Sequence, residues 1–282
     1  MITQENLFLI FLGLIWIVGA VLQDLRRREV DNIWNFSLIF FALSYRFSYS
    51  IHVSDYWFII NGLIGFFIFL IVGNLFYYSR LFAGGDAKLL IALGTILPLS
   101  NDWVINFKIF GAFILLFLVA GSLYVLIWSL FLVVLNFKKF SKEFYKQIMK
   151  FKYLFILSII FAIFWIVLGY FISILAVLSI AIMVVLFPLL FVFARSVEES
   201  CMVKLITPDK LTEGDWLYKD IYVGDRKIES CWDGVTKEEL RVIKNKCRRK
   251  ILIKIGVPFT PAFLLGILAL IYIFIYHPGL FL

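Results

Sequence analysis

Apolar runs of membrane-crossing length, roughly 17–25 residues for a helix, recur along this chain and dictate its architecture. They fall at about 7–22, 33–49, 57–78, 109–135 and 251–276, with a shorter one at 86–99. The stretch 153–193 is too long for one crossing, and Gly169-Tyr170 near its middle suggests the turn of a helical hairpin. At 63% hydrophobic and mean hydropathy +0.98, the chain lies well above the roughly 45–50% apolar content of soluble domains. The expected fold is all-α and polytopic, with about eight transmembrane helices and a small α+β cytosolic domain before the last helix. Met1–Asn6 has no basic n-region and no small-residue cleavage pattern follows, so the first run reads as a retained helix rather than a signal peptide.

Net charge is +8, which in a soluble protein would suggest nucleic acid. Here the positive residues cluster in particular loops, and such asymmetry is how membrane proteins fix their orientation. Arg26, Arg27 and Arg28 follow the first run. Arg80 and Lys88 flank the short one. Six lysines from Lys138 to Lys152 fill the loop after 109–135, and Arg248, Arg249 and Lys250 precede the last run. The loops near Ser50–Asp55 and Ser100–Asp102 have almost no positive charge. With eight crossings and both termini outside, every basic loop faces the cytosol, and nucleic-acid binding is not expected.

Four segments follow. Residues 1–136 form the main membrane bundle, 137–195 a basic loop and an additional transmembrane hairpin, 196–250 a small cytosolic domain, and 251–282 the last transmembrane helix and C-terminus. Within 196–250, Tyr222–Lys227 reads as a hairpin turn, and Thr236-Lys237-Glu238-Glu239 as a capping box that starts a helix. Cys201, Cys231 and Cys247 show no CxxC spacing, so free thiols and no metal site are expected. His52 and His277 lie far from any candidate chemistry.

That chemistry rests on two aspartates, Asp24 and Asp86, each at an edge of an apolar run on the same expected face. An aspartate at membrane depth costs about 2.5–3.5 kcal/mol on insertion scales, so it is a functional candidate by default. Two carboxylates sharing one water can hydrolyse a peptide bond. One draws a proton from the water while the other protonates the carbonyl, and like-charge proximity keeps one of them protonated. Gly84 and Gly85 are expected to let the backbone approach a partner closely, with Asp86 as the N-cap of the helix that follows. Taken singly, each aspartate has an ordinary alternative: Asp86 as a helix cap, and Asp24 as a solvated acid beside an arginine anchor. Lys88 reads equally as a partner of Asp86 or a marker of orientation.

The two motifs together resemble the type IV prepilin peptidase family, in particular its archaeal prepilin and preflagellin peptidases, with a mechanism like that of presenilin-type GxGD proteases. In that family the first catalytic aspartate ends helix 1 and is followed by a basic, branched-apolar and asparagine pattern. Asp24, Arg26, Arg28, Val30 and Asn32 match it. The second lies in a GxGD-like turn with a lysine two residues on, matched by Gly85, Asp86 and Lys88. The segments Leu205–Asp215 and 233–239 resemble the soluble domain of the archaeal subgroup.

The resemblance implies a membrane aspartyl endopeptidase that removes a short basic leader from a prepilin or preflagellin precursor at the cytosolic membrane face. Asp24 and Asp86 would be catalytic, supported by Gly84, Gly85, Lys88 and Asn32, with no metal or organic cofactor; the partners would be the precursor and membrane lipid. Glu213, Asp215, Asp220 and Asp225 could attract the leader's lysines, although ordinary solubility accounts for them as well. Three departures stand out: Ala83 in place of the first glycine of GxGD, Asp31 where proline is usual, and an extra hairpin within 137–195. The competing reading is a non-enzymatic transporter or an assembly component of a pilus or secretion machine. A transporter would place ionisable groups near the midplane on repeated broken helices, and no internal repeat is present.

Overall fold

The computed structural model describes residues 3–169, 174–224, 226–232 and 234–281. Ten α-helices are seen among the described residues: α1 (Gln4–Arg27), α2 (Asn32–Val53), α3 (Trp57–Tyr78), α4 (Gly84–Leu93), α5 (Trp103–Leu135), α6 (Phe137–Lys150), α7 (Lys152–Gly169), α8 (Ile174–Cys201), α9 (Lys237–Lys246) and α10 (Pro261–Tyr276). Five strands accompany them: β1 (Val203–Ile206), β2 (Trp216–Leu217), β3 (Ile221–Val223), β4 (Arg226–Ile228) and β5 (Ile251–Lys254). Helices α1, α3, α5, α7 and residues 179–201 of α8 are long and apolar enough to cross a membrane. The chain is therefore a helical membrane protein with a small strand-containing region. It divides into two compact units, residues 1–126 with 257–282, and residues 127–256.

The first unit holds the larger core. Leu9 and Ile17 of α1, Leu38 of α2, Phe69 of α3, Leu90 of α4 and Phe263 of α10 are all fully buried. Phe117 of α5 packs on Phe263 with ring centroids 4.3 Å apart. Helices α3 and α4 approach so closely that glycine is required at the crossing. A Cβ on Gly94 would lie 2.5 Å from the Phe69 Cβ and 2.7 Å from the Gly65 carbonyl oxygen. Small residues are what permit backbones to meet in this way. Gly94→Ala is expected to force the helices apart and cost roughly 1–3 kcal/mol, read as a lower thermal midpoint in detergent.

Helix α4 is shorter than the expected 86–99. Gly94 ends it, and the chain continues without helix through Pro98 and Leu99. At ten residues it is only about 15 Å long. The segment that follows is stapled by side chains instead. The Asn106 carbonyl oxygen accepts from Leu99 N–H and Ser100 N–H at 3.1 and 3.0 Å, its amide donates to the Ser100 carbonyl at 2.8 Å, and Asn6 donates to the Leu99 carbonyl at 2.7 Å.

Arg46 completes this arrangement from inside α2. It is fully buried, and its guanidinium donates to the carbonyls of Thr95 (2.8 Å), Phe58 (2.9 Å), Ile96 (3.2 Å) and Pro98 (2.7 Å). It also sits 4.6 Å from the Phe58 ring centroid. Three of those carbonyls belong to the turn that leaves α4, where helix geometry strands acceptors without partners. Gly62 supplies the space, since a Cβ there would fall 2.4 Å from the Arg46 Cδ.

The last apolar run does not begin at 251 as a helix. Ile251–Lys254 forms β5, with Ile251 and Ile253 buried and Leu252 exposed. Alternating branched residues suit a half-buried strand, and Pro258 and Pro261 delay the helix, so α10 begins at Pro261.

In the second unit, the stretch expected as a basic loop after 109–135 is helix α6. Phe140 is buried on one side, stacked against Phe144 and touching Phe193 of α8, while the lysines point outward. The apolar residues recur at helical spacing, which overrides the loop reading drawn from charge. Helices α7 and α8 pack on one another as a hairpin. The turn suggested at Gly169-Tyr170 runs into residues outside the described ones.

Strands β1, β5 and β2 form an antiparallel sheet in that order, and β3 and β4 a separate antiparallel hairpin. Asp225, in the expected hairpin turn, lies outside the described residues, as does Asp233. Thr236 caps α9 with the expected reciprocal bonds to Glu239. The core here is thin, built from eight side chains that include Leu211, Leu217, Ile243 and Ile253.

Candidate active site

Asp24 lies in the last turn of α1, and its side chain is buried. The helix stops there because Arg28 adopts the left-handed conformation (φ 60°) and its N–H closes on the Asp24 carbonyl at 2.8 Å. Only a short connection then leads to α2. Gln23 anchors it by accepting the Asp31 N–H at 3.1 Å, and Arg27 and Asp31 form an exposed pair at 4.0 Å that contributes little.

Asp86 is half-buried in the first turn of α4. It is the third helical residue rather than the N-cap, a position taken by Ala83. The helix begins two residues earlier than expected because Gly84 and Gly85 both take helical conformations. The Asp86 carboxylate reaches back to accept the Ala83 N–H, as in a capping box. It also feels the charge of Asp24 directly, so the two carboxylates occupy one neighbourhood within this unit.

Two members of the pattern after Asp24, Val30 and Asn32, pack against the Asp86 turn. Arg28 lies within electrostatic range of Asp24. Val30 is buried and faces Gly85, 3.8–3.9 Å from where a Cβ would stand. Asn32 accepts a hydrogen bond from the Lys88 ammonium at 2.6 Å. Lys88 is thus engaged across helices by Asn32, tying α4 to the start of α2.

The glycines do less than expected. Neither Gly84 nor Gly85 has positive φ, and a Cβ on either would make only ordinary contacts, at 3.7 Å or more. Gly85→Ala is expected to insert and fold with a thermal midpoint at or slightly above that of the wild type, since alanine favours a helix over glycine by about 1 kcal/mol. A marked drop in thermal stability would contradict this.

Buried Asp24 thus ends α1 and half-buried Asp86 opens α4, with the connection after Asp24 packed against the Asp86 turn. Residues 10–137 match the type IV leader peptidase family. The preflagellin peptidase of Methanococcus maripaludis is 40% identical over 88 residues, covering 31% of this chain and 37% of that protein. The preflagellin peptidase of Methanocaldococcus jannaschii is 30% identical over 89 residues, covering 32% of this chain and 38% of that protein. The chain therefore spans little more than a third of the length of these relatives. No solved structure matches it.

Sequence reasoning missed three side chains that shape this site. Asn35 is buried one turn beyond Asn32, and its amide donates to the Gly85 carbonyl at 3.4 Å. Tyr124 of α5 is within electrostatic range of Asp24. Thr260, outside the family match, donates to Asp24 Oδ2 from both its N–H (3.0 Å) and its hydroxyl (2.9 Å). A polar residue within an apolar run was the available signal for Asn35, whereas Thr260 carries none in the sequence.

The acidic residues of the small domain are tied up locally. Asp215 Oδ2 accepts from the Thr212 N–H and hydroxyl at 2.7 and 3.0 Å. Glu213 lies 3.6 Å from Lys237. Asp220 is held down to about 2 by the Ser230 N–H and the Lys227 ammonium. Solubility and turn-making account for these residues. Among the described residues no group of three or more His, Cys, Asp or Glu is placed to hold a metal ion.

Proposed function

We propose that this chain is a membrane aspartyl endopeptidase that removes the short basic leader from prepilin or preflagellin precursors at the cytosolic membrane face. The observation that carries the reading is that Asp24 and Asp86 lie in one bundle, near enough to sense one another's charge. The family match over 10–137 and the two preflagellin peptidases that share part of this segment support the substrate class.

Asp24 and Asp86 share the attacking water, one as a base and the other as an acid. Lys88 and Asn32 hold the turn that presents Asp86, and Gly84 and Gly85 form its first two helical residues. The water adds to the scissile carbonyl to give a gem-diol. Its collapse breaks the C–N bond as the amine takes up a proton and the pair returns to its starting state. The water that is consumed supplies both new termini, so the cycle requires no metal or organic cofactor.

In this reading α1, α2, α3, α4 with its extended continuation, α5, α7, α8 and α10 are eight passes, and the positive-inside rule then favours a cytosolic side for the basic loops and both aspartates. Residues 196–250 then form a cytosolic domain, and anionic lipid faces the lysines of α6. Nucleic acid has no part in this reading. Had the chain been a transporter or an assembly component, nothing would require two acids to meet at one edge of the bundle.

The test is cleavage of a precursor with a basic leader by membranes containing this protein, followed by mass spectrometry. A product shortened by the leader is expected. An intact precursor of either class, with the protein well inserted, would contradict the reading.

A further inference from the structure

Thr260 is the first residue before α10, and Pro261 opens that helix. A threonine in this position ordinarily turns its hydroxyl onto its own helix, accepting an N–H of the first turn. Here it makes no such bond. Both of its donors are aimed at one oxygen of Asp24, and Thr260 is fully buried. An oxygen that accepts an N–H and an O–H together is not the one carrying a proton. Such donors, at the positive end of a 16-residue helix, favour the ionised carboxylate.

Asp86 accepts from the Ala83 N–H. The other groups facing Asp24 are the Arg28 guanidinium, which follows α1, and the Tyr124 phenol of α5. From the α1–α2 connection, Asp31 is paired with Arg27.

We infer that Thr260 is a positioning residue that sets the order of the pair, holding Asp24 as the ionised base so that Asp86 carries the proton. This inference rests on the proposed protease reading. Asp24 takes a proton from water as the water oxygen bonds to the carbonyl carbon, and Asp86 gives its proton to the carbonyl oxygen. On collapse, Asp24 passes its proton to the departing nitrogen and Asp86 recovers one from a gem-diol hydroxyl. Atoms and charge balance, and both acids are reset.

The experiment is the pH dependence of precursor cleavage by the full chain in membranes, comparing wild type with Thr260→Val and Thr260→Ser. Thr260→Val keeps the shape and the N–H but loses the hydroxyl. Its acid limb should move about one pH unit upward, the size expected for loss of a hydrogen bond to a charged group. Cleavage on that limb should fall about tenfold, and Thr260→Ser should keep the wild-type profile. Thr260→Ala serves the same purpose where the valine variant does not insert. A uniform fall in rate with an unmoved acid limb would overturn the inference and leave Thr260 as a packing residue. Absence of cleavage by the wild type would instead overturn the protease reading itself.

Discussion

Replacing Arg46 with Met is expected to destabilise the first unit by about 3 kcal/mol or more. The methionine fills much of the same volume but donates nothing. It would leave the carbonyls of Thr95, Phe58, Ile96 and Pro98 without their partner in a buried setting. An unsatisfied buried acceptor costs its full desolvation, roughly 1–3 kcal/mol each, softened where the chain can relax.

Arg46→Lys should recover only part of this, because a compact ammonium cannot span four acceptors as the planar fork does. The check is thermal unfolding in detergent, with the order wild type, Lys, Met from most to least stable. Equal midpoints for all three would mean that the turn after α4 is held by its asparagines alone. Because α4 carries Asp86 in its first turn, a loosened C-terminal end should also lower activity.

The apolar runs made most of the membrane helices legible, since their length and continuity leave few alternatives. The boundaries that failed did so for local reasons. Gly94 and Pro98 ended α4 early, and Ile251–Lys254 alternates in a way that suits a strand, although it adjoins an apolar helix. Basic residues after α5 concealed the helical spacing of Phe140 and Phe144.

In the candidate site, the proposed Asp24, Asp86, Asn32 and Lys88 stood out in the sequence because their types and spacing form a pattern. Arg46 and Thr260 were not. A single arginine in an apolar run gives no hint that four carbonyls await it. A threonine 236 positions away from Asp24 becomes its neighbour only when α10 closes the bundle.

Asn in place of either Asp24 or Asp86 is expected to lower cleavage by roughly four orders of magnitude, the scale seen when one member of an interdependent catalytic set is removed. The amide matches the carboxylate in shape and still hydrogen-bonds. At position 24 it can accept from Thr260, so the fold should survive. It cannot take a proton from water, and at position 86 it cannot deliver an acidic proton to the carbonyl oxygen. Loss of either function stops the cycle, so the double variant should be scarcely worse than each single one.

One measurement tests the shared site most directly: the cleavage rate of a single basic-leader precursor by wild type, Asp24→Asn and Asp86→Asn, each inserted to the same level in the same membranes. The expected result is a leader-shortened product from the wild type and none from either variant. Cleavage near the wild-type rate by either variant would contradict a two-aspartate site.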